Sequence, residues 1–226
     1  MSNVSEYDSG YGQPRQPSQH QLTMASKSPW EVVDAIRALP ISGSEENLTQ
    51  VDVSGATGQH HALMHLNHPV RVEVSGKLGD YAFARNSDAD IRMTGDVGHG
   101  VGEGLSSGAV RVRGNAGLGA GATMTGGTLA IYGSAGNRCG AGMRGGGLFV
   151  RGDVGDEVGV GALGGMLVIG GSAGHHLGDA VSNVTIFIRG EAEGLADGLT
   201  VAPLRKRGQL RLGLLLINAS IRGDAK

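Results

Sequence analysis

The chain has 226 residues, a length that suits one ordinary domain with appendages. Its formal net charge of −2 provides no positive field for nucleic acid or an anionic membrane, so we expect neither as a partner. A single cysteine excludes an intrachain disulfide and any site built only from cysteines of this chain. Glycine is the exceptional residue, with 42 copies where average usage is about 7%.

Residues 1–27 are rich in Gln, Ser, Pro and Gly and show no periodicity, which predicts a disordered or extended tail. They lack the apolar run of a signal peptide or membrane span, so we expect a soluble, cytoplasmic protein. Ser28, Pro29 and Glu31 then form the pattern of an N-cap, a first-turn proline and a capping box. This pattern predicts a short helix through about Leu39, with Trp30, Val33 and Ile36 or Arg37 bordering its packed face.

Strands are predicted at 49–54, 61–66 and 69–75, so that residues 28–75 form a helix and an irregular first coil or cap. Four histidines lie in this region: His60, His61, His65 and His68. If 61–66 is a strand, residues four apart are about 13 Å from each other and cannot share a metal ion. We expect surface or hydrogen-bonded histidines here, and likewise for His99, His175 and His176.

A repeat with a period of 19 residues begins at Gly76 and continues through Gly95, Gly114, Gly133, Gly152, Gly171 and a degenerate Gly190. A fixed period near 20 is the signature of a stacked solenoid. Counting columns from each first glycine, columns 16 and 18 hold apolar pairs such as Ile91/Met93 and Val110/Val112. The residue between each pair varies freely, which is the alternation of a strand with one buried face. Column 7 is also apolar.

Glycines recur at fixed columns, where we expect the coil to turn its corners. Such corners require positive φ or a close backbone approach, and glycine meets both needs without steric cost. The predicted structural corner glycines are Gly95, Gly98, Gly102, Gly114, Gly117, Gly121, Gly133, Gly136, Gly140, Gly152, Gly155, Gly159, Gly171, Gly174 and Gly178. Residues 76–200 are therefore predicted to be an all-β, single-stranded parallel β-helix.

After residue 200 the repeat ends in a basic and then leucine-rich segment, 201–226. Its apolar run is too short for a bilayer and too apolar to be left in water. We expect it to cap the solenoid or to dock on another chain.

The motifs that could carry chemistry have simpler structural explanations. Gly140–Gly145 and Gly159–Gly164 match GxGxxG, but an all-strand repeat leaves no room for the helix that a dinucleotide site needs. Cys139 lies in the apolar column 7 and is interpreted as a small buried hydrophobe. The carboxylates Asp96, Asp153, Asp156, Glu157 and Asp179 adjoin corners, where such side chains satisfy backbone donors. The sequence nominates no catalytic residue, no cofactor ligand and no metal ligand.

The run from Gly95 to Gly190 carries a family resemblance. With Gly100-Val-Gly102-Glu-Gly104 and the recurring Met-x-Gly-Gly of 124–127 and 143–146, it resembles the GXGXG domain at the C-terminus of glutamate synthase large subunits. A separate chain of this size is similar to the GXGXG subunit of three-subunit glutamate-synthase-like enzymes, above all N-methylglutamate synthase. The resemblance covers about 150 residues and implies a right-handed coil.

The resemblance implies a non-catalytic scaffold in a hetero-oligomer. One partner would be a class II glutaminase-like amidotransferase subunit, and the other a glutamate-synthase-like subunit holding FMN and an iron–sulfur cluster. By this analogy the complex would form N-methylglutamate from glutamate and methylamine. No cofactor is implied for this chain.

Other classes remain open. The third subunit of formylmethanofuran dehydrogenase, and of the formyltransferase/hydrolase complex, looks like the same solenoid, although it typically has a larger N-terminal part. A left-handed β-helix acyltransferase is set aside because its coils are hexapeptide multiples, which a 19-residue period is not, and a calcium-binding β-roll because its GGxGxDxUx nonapeptides are absent. A stand-alone ligand-binding solenoid would predict a monomer without an apolar docking patch.

Overall fold

The computed structural model describes residues 18–40 and 48–218, which form a parallel β-solenoid. Nine strands pair in chain order within one sheet: β1 (Gln19–Thr23), β2 (Thr49–Gln59), β3 (Val70–Leu78), β4 (Asp90–Thr94), β5 (Ala109–Arg113), β6 (Thr128–Ile131), β7 (Arg144–Val150), β8 (Gly164–Ile169) and β9 (Val184–Ile188). Helix α1 (Pro29–Arg37) lies between β1 and β2, and helix α2 (Lys206–Asn218) follows β9. The predicted all-β solenoid is confirmed.

The repeat sets the register of the sheet from β3 to β9. Ile91 pairs with Val110, Val110 with Leu129, and Leu129 with Leu148, so each column forms a straight row across the coils. A second row of parallel bridges joins Leu78, Val97, Ala116, Ala135, Val154, Ala173 and Ala192. Identical columns therefore stack on each other, as a fixed period requires.

The interior is filled by the apolar columns of the repeat. Columns 16 and 18 are buried from Ile91/Met93 to Leu167/Ile169, and column 7 is buried from Ala82 to Leu177. The side chains that fill this space are mostly Ala, Val, Ile, Leu and Met, with Phe83 as the aromatic residue of the described core cluster. The scarcity of aromatic residues in the sequence agrees with this composition.

The N-terminal region contributes a strand that the sequence did not predict. Gln19–Thr23 pairs with β2 and so forms the first strand of the sheet. The remainder of the predicted tail, residues 1–17, lies outside the described residues. The pairing of β2 with β3 is irregular, with register shifts between Val53 and Ala56 and between Thr57 and Gln59.

Helix α1 begins with the predicted cap. The Ser28 side chain accepts a hydrogen bond from the Glu31 backbone N–H, and the Glu31 carboxylate accepts one from the Ser28 N–H. Val32, Val33 and Ile36 are buried and belong to the solenoid core. Trp30 was predicted to border the packed face of the helix, and this prediction was wrong because its side chain is 50% exposed. The helix ends at Arg37, with Ala38 as its C-cap.

The strand predicted at 61–66 was also wrong. These residues form a turn in which His61, Leu63 and His65 have positive φ values of 57°, 53° and 58°. They occupy the same corner as Tyr81, Phe83 and Arg85 of the next coil, which have the same left-handed conformation. Because apolar Ala62, Leu63 and Leu66 face the core at this corner, the segment has the composition of a strand.

None of the helices within 18–40 and 48–218 has the length and apolar character needed to cross a bilayer.

Candidate interaction surface

The predicted corner glycines fall into two groups with different physical requirements. The first group has positive φ: Gly95, Gly102, Gly121, Gly140, Gly159 and Gly178. In a representative coil, Gly100, Gly102 and Gly104 have φ values of 65°, 64° and 66°, so the alternate glycines of the GXGXG motif are all left-handed. This conformation costs other residues about 1–2 kcal/mol, which explains the motif.

The second group does not have positive φ and is explained by close approach. A Cβ atom on any of these glycines would lie within 3.0 Å of the preceding coil: Gly98, Gly114, Gly117, Gly133, Gly136, Gly152, Gly155, Gly171 and Gly174. At Gly98 the obstructing atoms include the Asp80 backbone nitrogen, at 2.7 Å, and the Asp80 carboxylate. These glycines leave room for polar side chains that project from one coil onto the next.

The polar side chains form two ladders along the solenoid. In the first, the backbone N–H of Asn115 donates to Asp96 Oδ1, that of Ser134 to Asn115 Oδ1, and that of Ser172 to Asp153 Oδ1. In the second, the N–H of His99 donates to Asp80 Oδ1 at 2.8 Å, and that of His175 donates to Asp156 Oδ1 at 2.8 Å. The expected use of corner carboxylates is thus seen at Asp96, Asp153 and Asp156, although the donors belong to the next coil.

Histidines take part in the second ladder as acceptors. His60 Nδ1 accepts from the Asp80 N–H at 3.0 Å, and His99 Nδ1 accepts from the Leu118 N–H at 2.8 Å. His68 Nε2 lies 3.1 Å from the Leu39 carbonyl oxygen, and the His61 ring stacks on Tyr81. The hydrogen bond from the His99 N–H lowers the pKa of the Asp80 carboxyl. Most of these histidines therefore have roles in holding coils together.

The remaining candidate residues occupy ordinary positions in the coil. Glu157 forms an ion pair with Arg138 at 3.4 Å, and the Asp179 carbonyl accepts from the Gly161 N–H. Cys139 is buried, and this burial raises the pKa of its thiol to about 12. Both GxGxxG stretches lead directly into strands, at Arg144 and Gly164. They lack the strand-to-helix turn that a dinucleotide site requires.

The outer face of the sheet changes character along the solenoid. Column 17, between the buried pairs, was interpreted as freely variable, but its residues are segregated along the axis. Glu73, Arg92 and Arg111 stand in the first half, where Arg92 pairs with Glu73 at 3.5 Å and Asp90 binds Arg71 and Arg111. The second half holds Ala130, Phe149, Val168 and Phe187, which form an apolar stripe.

Helix α2 covers this apolar stripe. Leu215 is buried against Ala130, Phe149 and Val168, with Leu212 and Leu216 packed beside it. The approach is close, since a Cβ on Gly147 would collide with the Leu215 side chain. Residues 201–218 thus lie along the side of the solenoid. The sequence analysis missed this helix, although Leu212, Leu215 and Leu216, spaced at i, i+3 and i+4, were an available signal.

A groove lies between the sheet and the chain that leads into α2. Phe149, Val168, Phe187 and Val184 contribute to its apolar part. Its charged lining consists of Arg113, Arg151, Arg189, Arg205, Arg207 and Arg211, and no Asp or Glu of the described residues lines it. Within the described part of the chain, none of these arginines lies within 4.0 Å of a carboxylate oxygen.

The opposite face of α2 is exposed and apolar. Leu210, Leu214 and Ile217 follow one another by four and three residues and are 68%, 56% and 71% exposed. We call these three side chains the outer stripe of α2. Lys206, Arg207 and Arg211 are exposed beside it, and the helix contains no acidic residue. The stripe, its basic flanks and the groove form one continuous surface.

The architecture defines the class of protein as a parallel β-solenoid with a helix docked on its outer face. Neither the comparison with protein-family models nor that with curated proteins finds a match for this sequence.

Proposed function

We propose that this chain is the scaffold subunit of a glutamate-synthase-like multisubunit enzyme. It would hold a class II glutaminase-like subunit and an FMN and iron–sulfur synthase subunit in register, in the cytoplasm. The observation that carries the proposal is a filled, regular solenoid that presents an exposed apolar and basic surface at α2. Exposed apolar patches rimmed by polar residues mark protein interaction sites.

The GXGXG corners support the choice of enzyme class. The alternating left-handed residues at Gly100, Gly102 and Gly104 are a physical basis for the motif that this chain shares with glutamate-synthase-like GXGXG subunits. By that resemblance, the assembled enzyme would make N-methylglutamate from glutamate and methylamine. The flavin and iron–sulfur cluster would belong to a partner subunit.

The test is purification of the tagged full chain from its own cells, followed by native mass spectrometry and a visible absorption spectrum. We expect two further subunits to co-purify, with flavin and iron–sulfur absorption bands. The purified complex should consume methylamine and glutamate together. A colourless particle containing only this chain would overturn the proposal.

A further inference from the structure

We propose that the outer stripe of α2 is the docking site for an acidic amphipathic segment of a partner subunit. This inference rests on the proposal that the chain works within a complex, but not on the identity of that complex. The site consists of Leu210, Leu214 and Ile217, with Lys206, Arg207 and Arg211 as its basic flanks.

The helix has two apolar faces, and only one is accounted for by the fold. Leu212, Leu215 and Leu216 anchor α2 on the sheet. The outer stripe faces the opposite direction, because residues at 210, 214 and 217 share the other side of an α-helix. Folding of the described chain does not bury this stripe, so its exposure costs hydrophobic free energy that a partner would recover.

The charge around the stripe selects the chemistry of the partner. Arg207 and Arg211 border the stripe and also line the groove, where further arginines have no carboxylate neighbour among the described residues. In the first half of the sheet, by contrast, arginines pair with Asp90 or Glu73. A partner that covers the stripe therefore meets a positive surface that no carboxylate of the described residues compensates, and an acidic segment complements such a surface.

A second copy of this chain fits the surface poorly. An isologous contact would place each α2 against its symmetry mate, and neither helix has an acidic residue that could pair with Lys206, Arg207 and Arg211. The basic flanks of both copies would then be covered without opposite charge, which is unfavourable. A lipid surface is the other class that binds a basic helix, and such helices carry Trp, Phe or Leu on the inserted face. Helix α2 has leucine but neither aromatic residue, and the net charge of −2 gives the chain no general attraction to an anionic bilayer.

The first experiment compares two multiple variants of the tagged full chain in its own cells. The stripe variant carries Leu210→Gln, Leu214→Gln and Ile217→Gln. The control carries Leu118→Gln and Leu163→Gln, which are 48% and 52% exposed but lie on the coils. We expect the stripe variant to bind the partner at least about tenfold more weakly, and the control to bind like wild type. Unchanged association of the stripe variant would overturn the inference.

The second experiment identifies the chemistry of the occupant. A photoreactive maleimide is attached through Leu214→Cys, and Leu163→Cys serves as the control position. Labelling is selective because the only native thiol, Cys139, is buried and has its pKa raised to about 12. We expect the probe at position 214 to cross-link to a partner peptide with more Asp and Glu than Lys and Arg. Cross-links to a basic peptide, or to this chain itself, would contradict the proposal.

Two further measurements separate the remaining outcomes. Arg207→Glu with Arg211→Glu should weaken association and its salt dependence, whereas Arg207→Lys with Arg211→Lys should retain both. Vesicles of phosphatidylcholine and phosphatidylserine should not bind the full chain. Vesicle binding that depends on the stripe would overturn the inference in favour of a lipid surface.

The inference and the proposed function fail in different ways. If the stripe variant still purifies with a flavin and iron–sulfur partner, the docking inference is wrong and the enzyme assignment stands. If an acidic partner is cross-linked at position 214 but contains no flavin or iron–sulfur cluster, the docking inference stands and the enzyme assignment is wrong.

Discussion

At the scale of single residues, polar side chains join neighbouring coils by hydrogen bonds, and glycines leave the space that these side chains occupy. Asp80, Asp96 and Asp156 each accept a backbone hydrogen bond from the following coil. The facing glycines, such as Gly98 and Gly174, have no Cβ where these carboxylates lie. The glycine column and the adjacent acceptor column therefore depend on each other. A larger residue in the glycine column would displace the carboxylates that accept these hydrogen bonds.

Gly98→Ala tests the close approach at these glycines. The added methyl group would meet the Asp80 backbone nitrogen at 2.7 Å, and a backbone atom cannot move away cheaply. We expect the free energy of unfolding to fall by about 1–3 kcal/mol. Gly213→Ala is the matched control, since nothing lies within 4 Å of its Cβ position in α2. Alanine there should be neutral or stabilising by up to about 1 kcal/mol. Chemical denaturation of both variants measures the difference, and equal effects would refute the explanation.

Asp80 makes the stability of this corner depend on pH. The hydrogen bond from the His99 N–H lowers the pKa of Asp80 in the folded state, and the nearby His99, His60 and His61 side chains contribute in the same direction. A lowered folded pKa stabilises the fold above the unfolded value of about 3.9, and this contribution is lost as pH falls through the folded pKa.

Asp80→Asn isolates this carboxylate, because its amide oxygen can still accept the bond while the side chain no longer titrates. We expect wild type to lose its advantage over the variant as pH falls from about 5 to below 3.9. Denaturation curves at a series of pH values measure this difference. A constant difference across that range would show that Asp80 is not responsible.

At the scale of elements, α2 shows how an outer surface can be divided between folding and interaction. Its inner face covers Ala130, Phe149 and Val168 on the outside of the sheet. These side chains are buried because the helix packs on them. Its outer stripe remains exposed. The two leucines Leu214 and Leu215 are adjacent in sequence but differ in environment, with 56% and 8% exposure. They provide a test of this division within one helix.

Leu215→Asn should release α2 from the sheet without unfolding the coils. Loss of the buried leucine removes about 1.5–3 kcal/mol of apolar burial. The undocked population should therefore rise by at least about tenfold. Trypsin digestion is the measurement, because cleavage needs a locally unfolded backbone, and the backbone around Arg205, Lys206, Arg207 and Arg211 unfolds more readily once the helix detaches. Leu214→Asn, on the exposed face, should leave the cleavage rate close to that of wild type. Equal cleavage of both variants would argue against the observed docking face.

At the scale of the whole molecule, the fold is nearly one-dimensional. Each inner strand is paired on both sides, whereas among the described residues β1 pairs only with β2 and β9 only with β8. Core residues in β4 to β8 are buried, but every residue of β9 is only half-buried. Stability in such proteins is approximately a sum of repeat terms and neighbour terms, so the ends should open first.

Hydrogen exchange followed by mass spectrometry tests this gradient. We expect the slowest exchange in β4 to β7, and faster exchange in β1, β9 and α2. The physical reason is that opening an end coil breaks one interface, whereas opening an inner coil breaks two. Uniform protection from β1 to β9 would show that the described coils unfold as a single cooperative unit.

The sequence alone determined the period, the parallel stacking and the interior of this protein. Columns 16 and 18 repeat every coil, and a residue such as Ile91 or Leu148 is buried wherever its neighbours stack in register. The capping box at Ser28 and Glu31 was equally predictable, because it depends on residues three apart. These features are local or strictly periodic, so patterns of residue type are sufficient to predict them.

Only the tertiary structure decided what lies outside the core. Phe149 is buried because α2, which comes much later in the chain, packs on it. No local pattern in the sequence specifies that contact. The corner at His61, Leu63 and His65 adopts glycine-like φ values because the next coil imposes its path on these residues. The C-terminal surface likewise depends on which helix face the sheet covers, which is settled by three-dimensional packing.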